Sequence, residues 1–153
     1  MSDSIAQDLL EAMVTRIGTF DLDGTEDNVS WDLAPTPGFE ANLVYPCIVV
    51  FPVGSQSPLQ SGDLSGTDHT ALPLTVRLLH RDPISNATER ASMLKWNQIL
   101  RRSLRNQRLS AVNTNYLLVW EPGPLVEDLG PAYKLVSLPL SYIAHIREPR
   151  VTA

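Results

Sequence analysis

The sequence predicts an α+β fold: a largely antiparallel sheet of about four strands with two helices packed on it, in the order helix, strand, strand, helix, strand, strand. Two stretches repeat apolar residues at helical spacing, and four others alternate them or run apolar on both faces. Most neighbouring strands have no helix between them, so the crossovers of a doubly wound parallel sheet are missing. The 153 residues, 43% hydrophobic and 19% charged, suffice for one domain over 1–153 and lie away from the composition of disordered chains.

The first element is an amphipathic helix over 5–17, with Ile5, Leu9, Met13 and Ile17 at spacing four and Ala6, Leu10 and Val14 beside them. Ser4 with Gln7 reads as its capping box and Gly18 as its stop. Residues 19–42 hold Asp21, Asp23, Glu26, Asp27, Asp32 and Glu40, no basic residue, and the turn formers Gly24, Pro35, Pro37 and Gly38. They predict an acidic connection with a short strand near Trp31.

Residues 43–53 are apolar on both alternating faces, as expected of a strand covered by helices on one side and by something else on the other. Pro46 and Pro52 lack an N–H and belong at strand ends or an edge. The stretch 54–71, with three glycines and four serines, reads as a flexible hairpin loop leading into a strand over 72–81. Loops of that length in a compact domain are usually functional or disordered.

Asp82-Pro83 ends this strand, and Asn86 with Glu89 proposes a second capping box. The helix that follows, over 87–108, carries Met93, Trp96, Leu100 and Leu104 on one stripe and Arg101, Arg102, Arg105 and Arg108 in its last turns. Cations there suit the helix dipole by roughly 0.3–1 kcal/mol each. Strands over 115–121 and 133–146 close the chain, separated by the Pro/Gly-punctuated stretch 122–131.

The net charge of −5 hides a segregation: Glu89 to Arg108 holds six Lys/Arg against one acid, leaving −10 for the rest. This suits charge-complementary contact between copies or partners. A sequence pI near 5.1 argues against a nucleic-acid interface, which favours a broadly basic surface. Cys47 is the only cysteine, so no internal disulfide is expected. The start Met1-Ser2-Asp3-Ser4 lacks a basic leader, and no window approaches the ~20 apolar residues of a membrane span.

The string Phe20-Asp21-Leu22-Asp23-Gly24-Thr25 resembles the first motif of haloacid-dehalogenase-type phosphatases, in which one Asp is the nucleophile and the other an acid/base. That family needs a buried strand before the motif, and here the preceding residues read as a helix end. Gly62-Asp63 with Asp68, the nearest match to the later magnesium-binding motif, precedes Lys95 and so reverses the family order. The phosphatase is therefore the less favoured reading. A calcium loop fails on spacing, because Gly24 follows only two alternating acids and position twelve is Asp32. His69, His80 and His145 stand apart, and no nucleophile elbow or phosphate-cradling loop is present. No catalytic residue, metal or cofactor is expected, and the chain reads as a structural assembly subunit.

The N-terminal helix, Tyr45-Pro46 opening an apolar strand, the Gly/Ser-rich tip, the run Leu72-Pro73-Leu74-Thr75-Val76-Arg77-Leu78, the Arg/Trp-containing helix and the two closing strands together resemble a bacteriophage tail terminator over residues 4–147. The resemblance implies a ring, commonly of six copies, that caps the tail tube and meets the neck below the capsid. Its partners would be further copies of itself, the tail tube protein and a neck or head-completion protein. DNA would meet it only by passage through the lumen, and it would reside in the virion after assembly in the host cytoplasm. By the same resemblance, the 54–71 loop would be a tube-contacting arm and the basic helix end a neighbour or neck contact; the interface candidates in these elements are Ser55, Gln56, Ser57, Gln60 and Asp63 in the loop and Arg101, Arg102, Arg105 and Arg108 in the helix. The acidic segment 19–42 departs from the family pattern. Another neck or head-completion subunit is the alternative, and a monomeric binding module a further class.

Overall fold

A computed structural model of the chain describes residues 5–34, 39–53, 57–60, 67–84, 86–105, 108–111, 114–131 and 133–149. The apolar repeat near the N-terminus forms α1 (Ile5–Ile17), which buries Leu9, Leu10, Met13 and Ile17 completely or nearly so. The second repeat forms α2 (Ala87–Leu104), burying Met93, Trp96, Leu100 and Leu104. Ser4 lies outside the described residues, so the first capping box is not placed. At α2, the Asn86 side chain accepts from the Thr88 N–H at 2.8 Å, while Glu89 lies 3.6 Å from His80 Nε2.

The sheet is mixed and larger than expected. Its strands are β1 (Val29–Trp31), β2 (Cys47–Pro52), β3 (Ser57–Gln60), β4 (Thr67–Arg81), β5 (Arg108–Ala111), β6 (Thr114–Glu121) and β7 (Leu135–Pro149), in the order β1-β2-β4-β7-β6-β5, with β3 also on β4. Among the described residues, only β1 with β2 is parallel. The four expected strands are β2, β4, β6 and β7, and β1 is the short strand expected near Trp31. The additions are four-residue pieces paired by longer neighbours: β3 on β4, β5 on β6.

β4 and β7 pair along their whole fifteen-residue lengths, from Thr67↔Pro149 to Arg81↔Leu135. This corrects the expected loop over 54–71. Residues 67–71 are strand because the far end of β7 supplies backbone partners that no local signal announces, and Ser57–Gln60 pairs back onto them. The second helix also stops at Leu104, where Arg105 turns extended (φ −61°, ψ 129°). Arg108 begins β5. Past Leu104 the sequence Arg-Asn-Gln offers nothing apolar to bury, and helices in proteins are held chiefly by their buried face.

Two prolines sit inside long strands without breaking the ladder. The Pro73 carbonyl accepts from the Val53 N–H just past the end of β2, so its missing N–H faces the same position, beyond the last β2 pair, Pro52↔Leu74. By the same alternation Pro139 faces the side of β7 beyond the last β6 pair, Glu121↔Ser141.

Both helices lie on one face of the sheet over a single core cluster that includes Ile48, Val50, Leu74, Val76, Leu78, Leu118 and Tyr142. α1 touches β1, β2 and β5, so the sheet curves to bring both edges to this helix. Tyr142 donates its hydroxyl to the Arg101 and Leu100 carbonyls at 3.2 and 3.4 Å, satisfying groups in the last turns of α2. The opposite face carries a smaller cluster, Cys47, Val49, Phe51, Leu79 and Leu135, packed against Leu43, Tyr45, Val53, Leu129 and Tyr133. The two-sided burial read for 43–53 is present, and its second cover is loop rather than helix.

Burial pushes the Cys47 thiol from 9.0 up to about 12 and raises the Tyr142 phenol above its ordinary 10.0. Each group holds its proton more tightly folded than unfolded, so this stability is intact below about pH 9 and falls as pH rises toward 12. Urea midpoints should therefore drop between pH 8 and pH 10.5. A thiol reagent at pH 8 should label Cys47 only as fast as the protein opens.

Candidate interaction surface

The string Asp21 to Thr25 follows α1 and leads into a 3₁₀ turn at Thr25–Asp27, not out of a strand. Asp23 and Gly24 are left-handed (φ 57° and 96°), a geometry Asp and Gly accept more readily than most residues. The Glu26 carboxylate accepts from the Gly24 and Leu22 N–H groups at 2.9 and 3.1 Å. Asp23 Oδ2 accepts from Trp96 Nε1 at 2.8 Å and Lys95 Nζ at 3.2 Å. The carboxylate thus anchors the α1–β1 connection to the middle of α2, and the strand setting of a phosphatase motif is absent.

The Trp96 N–H, helped by the Lys95 ammonium, holds the Asp23 carboxyl below its usual 3.8. A depressed acid stabilises the fold above its unfolded value and loses that contribution as pH falls through the folded one. Stability measured from pH 6 down to pH 3 should fall less steeply in Asp23→Asn than in wild type. Parallel curves would remove this anchor from the account.

Arg101 and Arg105 both approach Trp120, with guanidinium carbons 5.6 and 5.9 Å from the ring centroid; Arg102 is exposed, and Arg108 belongs to β5. Of the arm residues, Ser57 and Gln60 bound β3, while Ser55, Gln56 and Asp63 lie outside the described residues.

Trp120 and Arg101 line a notch of about 300 Å³ with Asn97, the turn 121–125 and residues 139–141. Asn97 is 5% exposed, and its Nδ2 has no hydrogen-bond partner among the described residues. Across the 122–126 stretch, a second depression of about 350 Å³ is lined by Ile84, Met93, Leu94, Val126, Val136 and Leu138. Leu94, Leu125 and Val126 are half exposed or more. Exposed apolar side chains rimmed by arginine are the composition found in protein–protein contact patches. Sequence reasoning found its arginines but missed Asn97, Trp120 and Leu125. Among the described residues, no three His, Cys, Asp or Glu side chains gather where they could hold a metal, and no helix is long and apolar enough to cross a membrane.

The fold is thus a curved, mostly antiparallel sheet with two helices on one face. No protein-family model and no curated protein matches the sequence. Among solved structures, a chain of the "Virion of native gene transfer agent (GTA) particle" superposes with a TM-score of 0.66, covering 96% of this chain and 100% of that one at 13% identity. At that identity the likeness shows a shared fold.

Proposed function

We propose that this chain is a structural protein of a phage-like virion, assembling as a ring, most simply a hexamer, that caps the tail tube and joins it to the neck. The observation that carries the reading is the likeness in fold, over 96% of this chain, to a chain of a gene transfer agent virion. The apolar and arginine-bearing surface around Trp120 supports it, since a ring subunit needs faces that other copies cover. Arg101, Arg102, Arg105 and Arg108 are the neighbour or neck contacts in this reading. Ser55, Gln56, Ser57, Gln60 and Asp63 are the tube contacts. No cofactor takes part.

Native mass spectrometry and negative-stain microscopy, with and without purified tail tubes, test it. Closed rings seated on tube ends are expected, and Arg101→Glu with Arg105→Glu should shift the population to smaller species. Binding to a head connector but never to tubes would favour the alternative neck or head-completion subunit.

A further inference from the structure

We propose that the notch beside Trp120 receives the Asp32-Leu33 corner of a neighbouring copy; this rests on the ring reading above and names the two surfaces that meet. Trp120, Pro122 and Leu125 offer apolar walls, Arg101 adds a cation, and Glu121 adds one acid. Asn97 is nine-tenths buried and lacks a partner for its amide Nδ2 among the described residues. Buried donors are nearly always paired, so the notch calls for a ligand that brings an acceptor. Arg105, stacked on the same ring as Arg101, makes the preferred acceptor anionic. Among the described residues, neither arginine meets a carboxylate within ion-pair distance. The occupant defined by this chemistry is an apolar side chain next to a carboxylate.

The chain presents such a corner. Leu33 is 69% exposed, the highest value among the exposed large hydrophobic residues described, and Asp32 precedes it. One Asp32 carboxylate oxygen accepts from the Leu33 N–H at 2.7 Å, which fixes the carboxylate beside the leucine. The surrounding segment 19–42 has six acids and no base, so nothing within it competes with an arginine from outside. The corner follows β1, an outer strand fixed by the Asp32 N–H on the Val50 carbonyl at 3.1 Å.

The two surfaces lie at different places on the sheet. From β1 to β6 the order runs through β2, β4 and β7, about 19 Å at the ~4.8 Å spacing of strands. One copy can therefore offer its corner to one neighbour and its notch to another. Contacts of that head-to-tail kind generate rings when the rotation closes. The acidic segment that departs from the tail-terminator pattern thereby acquires a task.

The test uses two full-length preparations, one carrying Leu33→Cys and the other Leu125→Cys; the native Cys47 is 2% exposed. On mild oxidation, a covalent dimer is expected in the mixture and in neither preparation alone. Arg101→Glu in the Leu125→Cys copy should lower its yield about tenfold, the scale of one lost charged contact. Asn97→Leu, which fills the notch without a donor, should lower it similarly if the protein stays folded. Wild-type rings with no cross-link in the mixture overturn this contact and leave the ring reading standing. A Leu33→Cys preparation that cross-links to itself overturns it in favour of a two-fold contact. A wild type that stays monomeric at every concentration, with tubes present, removes the ring reading and this contact together.

Discussion

Glu127→Ala is expected to destabilise the protein by about 2–3 kcal/mol, below the 3–5 of a fully buried pair because this one keeps some exposure. Arg77 and Glu127 have side chains 13% and 21% exposed, and Arg77 Nε donates to Glu127 Oε1 at 2.5 Å. The same oxygen accepts the Ser137 hydroxyl at 2.7 Å, and Ser137 is fully buried. The guanidinium lies over Phe51, 4.9 Å from its centroid, and Arg77 Nη1 already lacks a partner among the described residues. Alanine would thus leave a half-satisfied cation and an unpaired hydroxyl against the apolar outer cluster. In a chain of this size the melting temperature should fall by about 4–12 °C.

Glu127→Gln, which keeps an acceptor, should lose about half as much. Arg77→Met with Glu127→Leu, which removes the charges together, should recover to within about 1 kcal/mol of wild type. If urea unfolding put the alanine variant within about 0.5 kcal/mol of wild type, solvent would be screening the pair as it does on a surface. Glu127 also pins the 122–131 connection to β7 through its N–H on the Ser137 carbonyl at 3.0 Å. Leu125 and Val126 are positioned from that pin, so cross-linking at Leu125→Cys should weaken alongside stability.

What could be read in the sequence follows from what each element buries. α1, α2, β2, β4, β6 and β7 each hide an apolar repeat of their own, and all six were legible within a few residues. β3 and β5 were not, since their four-residue sequences pair only because longer strands extend past their other partners. The first five residues of β4 were hidden for the same reason. Arg101 and Arg105 were legible as charge, but their meeting at Trp120 joins segments far apart in sequence. Asn97 gave no signal at all, being one polar residue on a helix whose burial only the tertiary structure decides. At Asp23 the local string pointed to catalysis, whereas the left-handed Asp-Gly turn points to a tight reversal whose carboxylate anchors α2.

Leu78 and Leu79 carry the second large prediction, because adjacent residues of a strand face opposite sides of the sheet and both are fully buried here. Leu78 stands in the helix-covered cluster, Leu79 in the smaller one with Cys47, Val49 and Phe51. Alanine at either site removes buried methyl groups and leaves a cavity, with costs of about 2–5 kcal/mol for such truncations. Leu78→Ala should fall in the upper half of that range, since it lies between β2 and β7, paired with Ile48 and Leu138, under two helices. Leu79→Ala should fall in the lower half, because loop segments around Leu43, Leu129 and Tyr133 can settle into the space. A sheet covered on one side only would give one large value and one near zero. Two large values from chemical denaturation would confirm that loops bury the outer face as a second core, and a near-neutral Leu79→Ala would reduce that face to a covering layer.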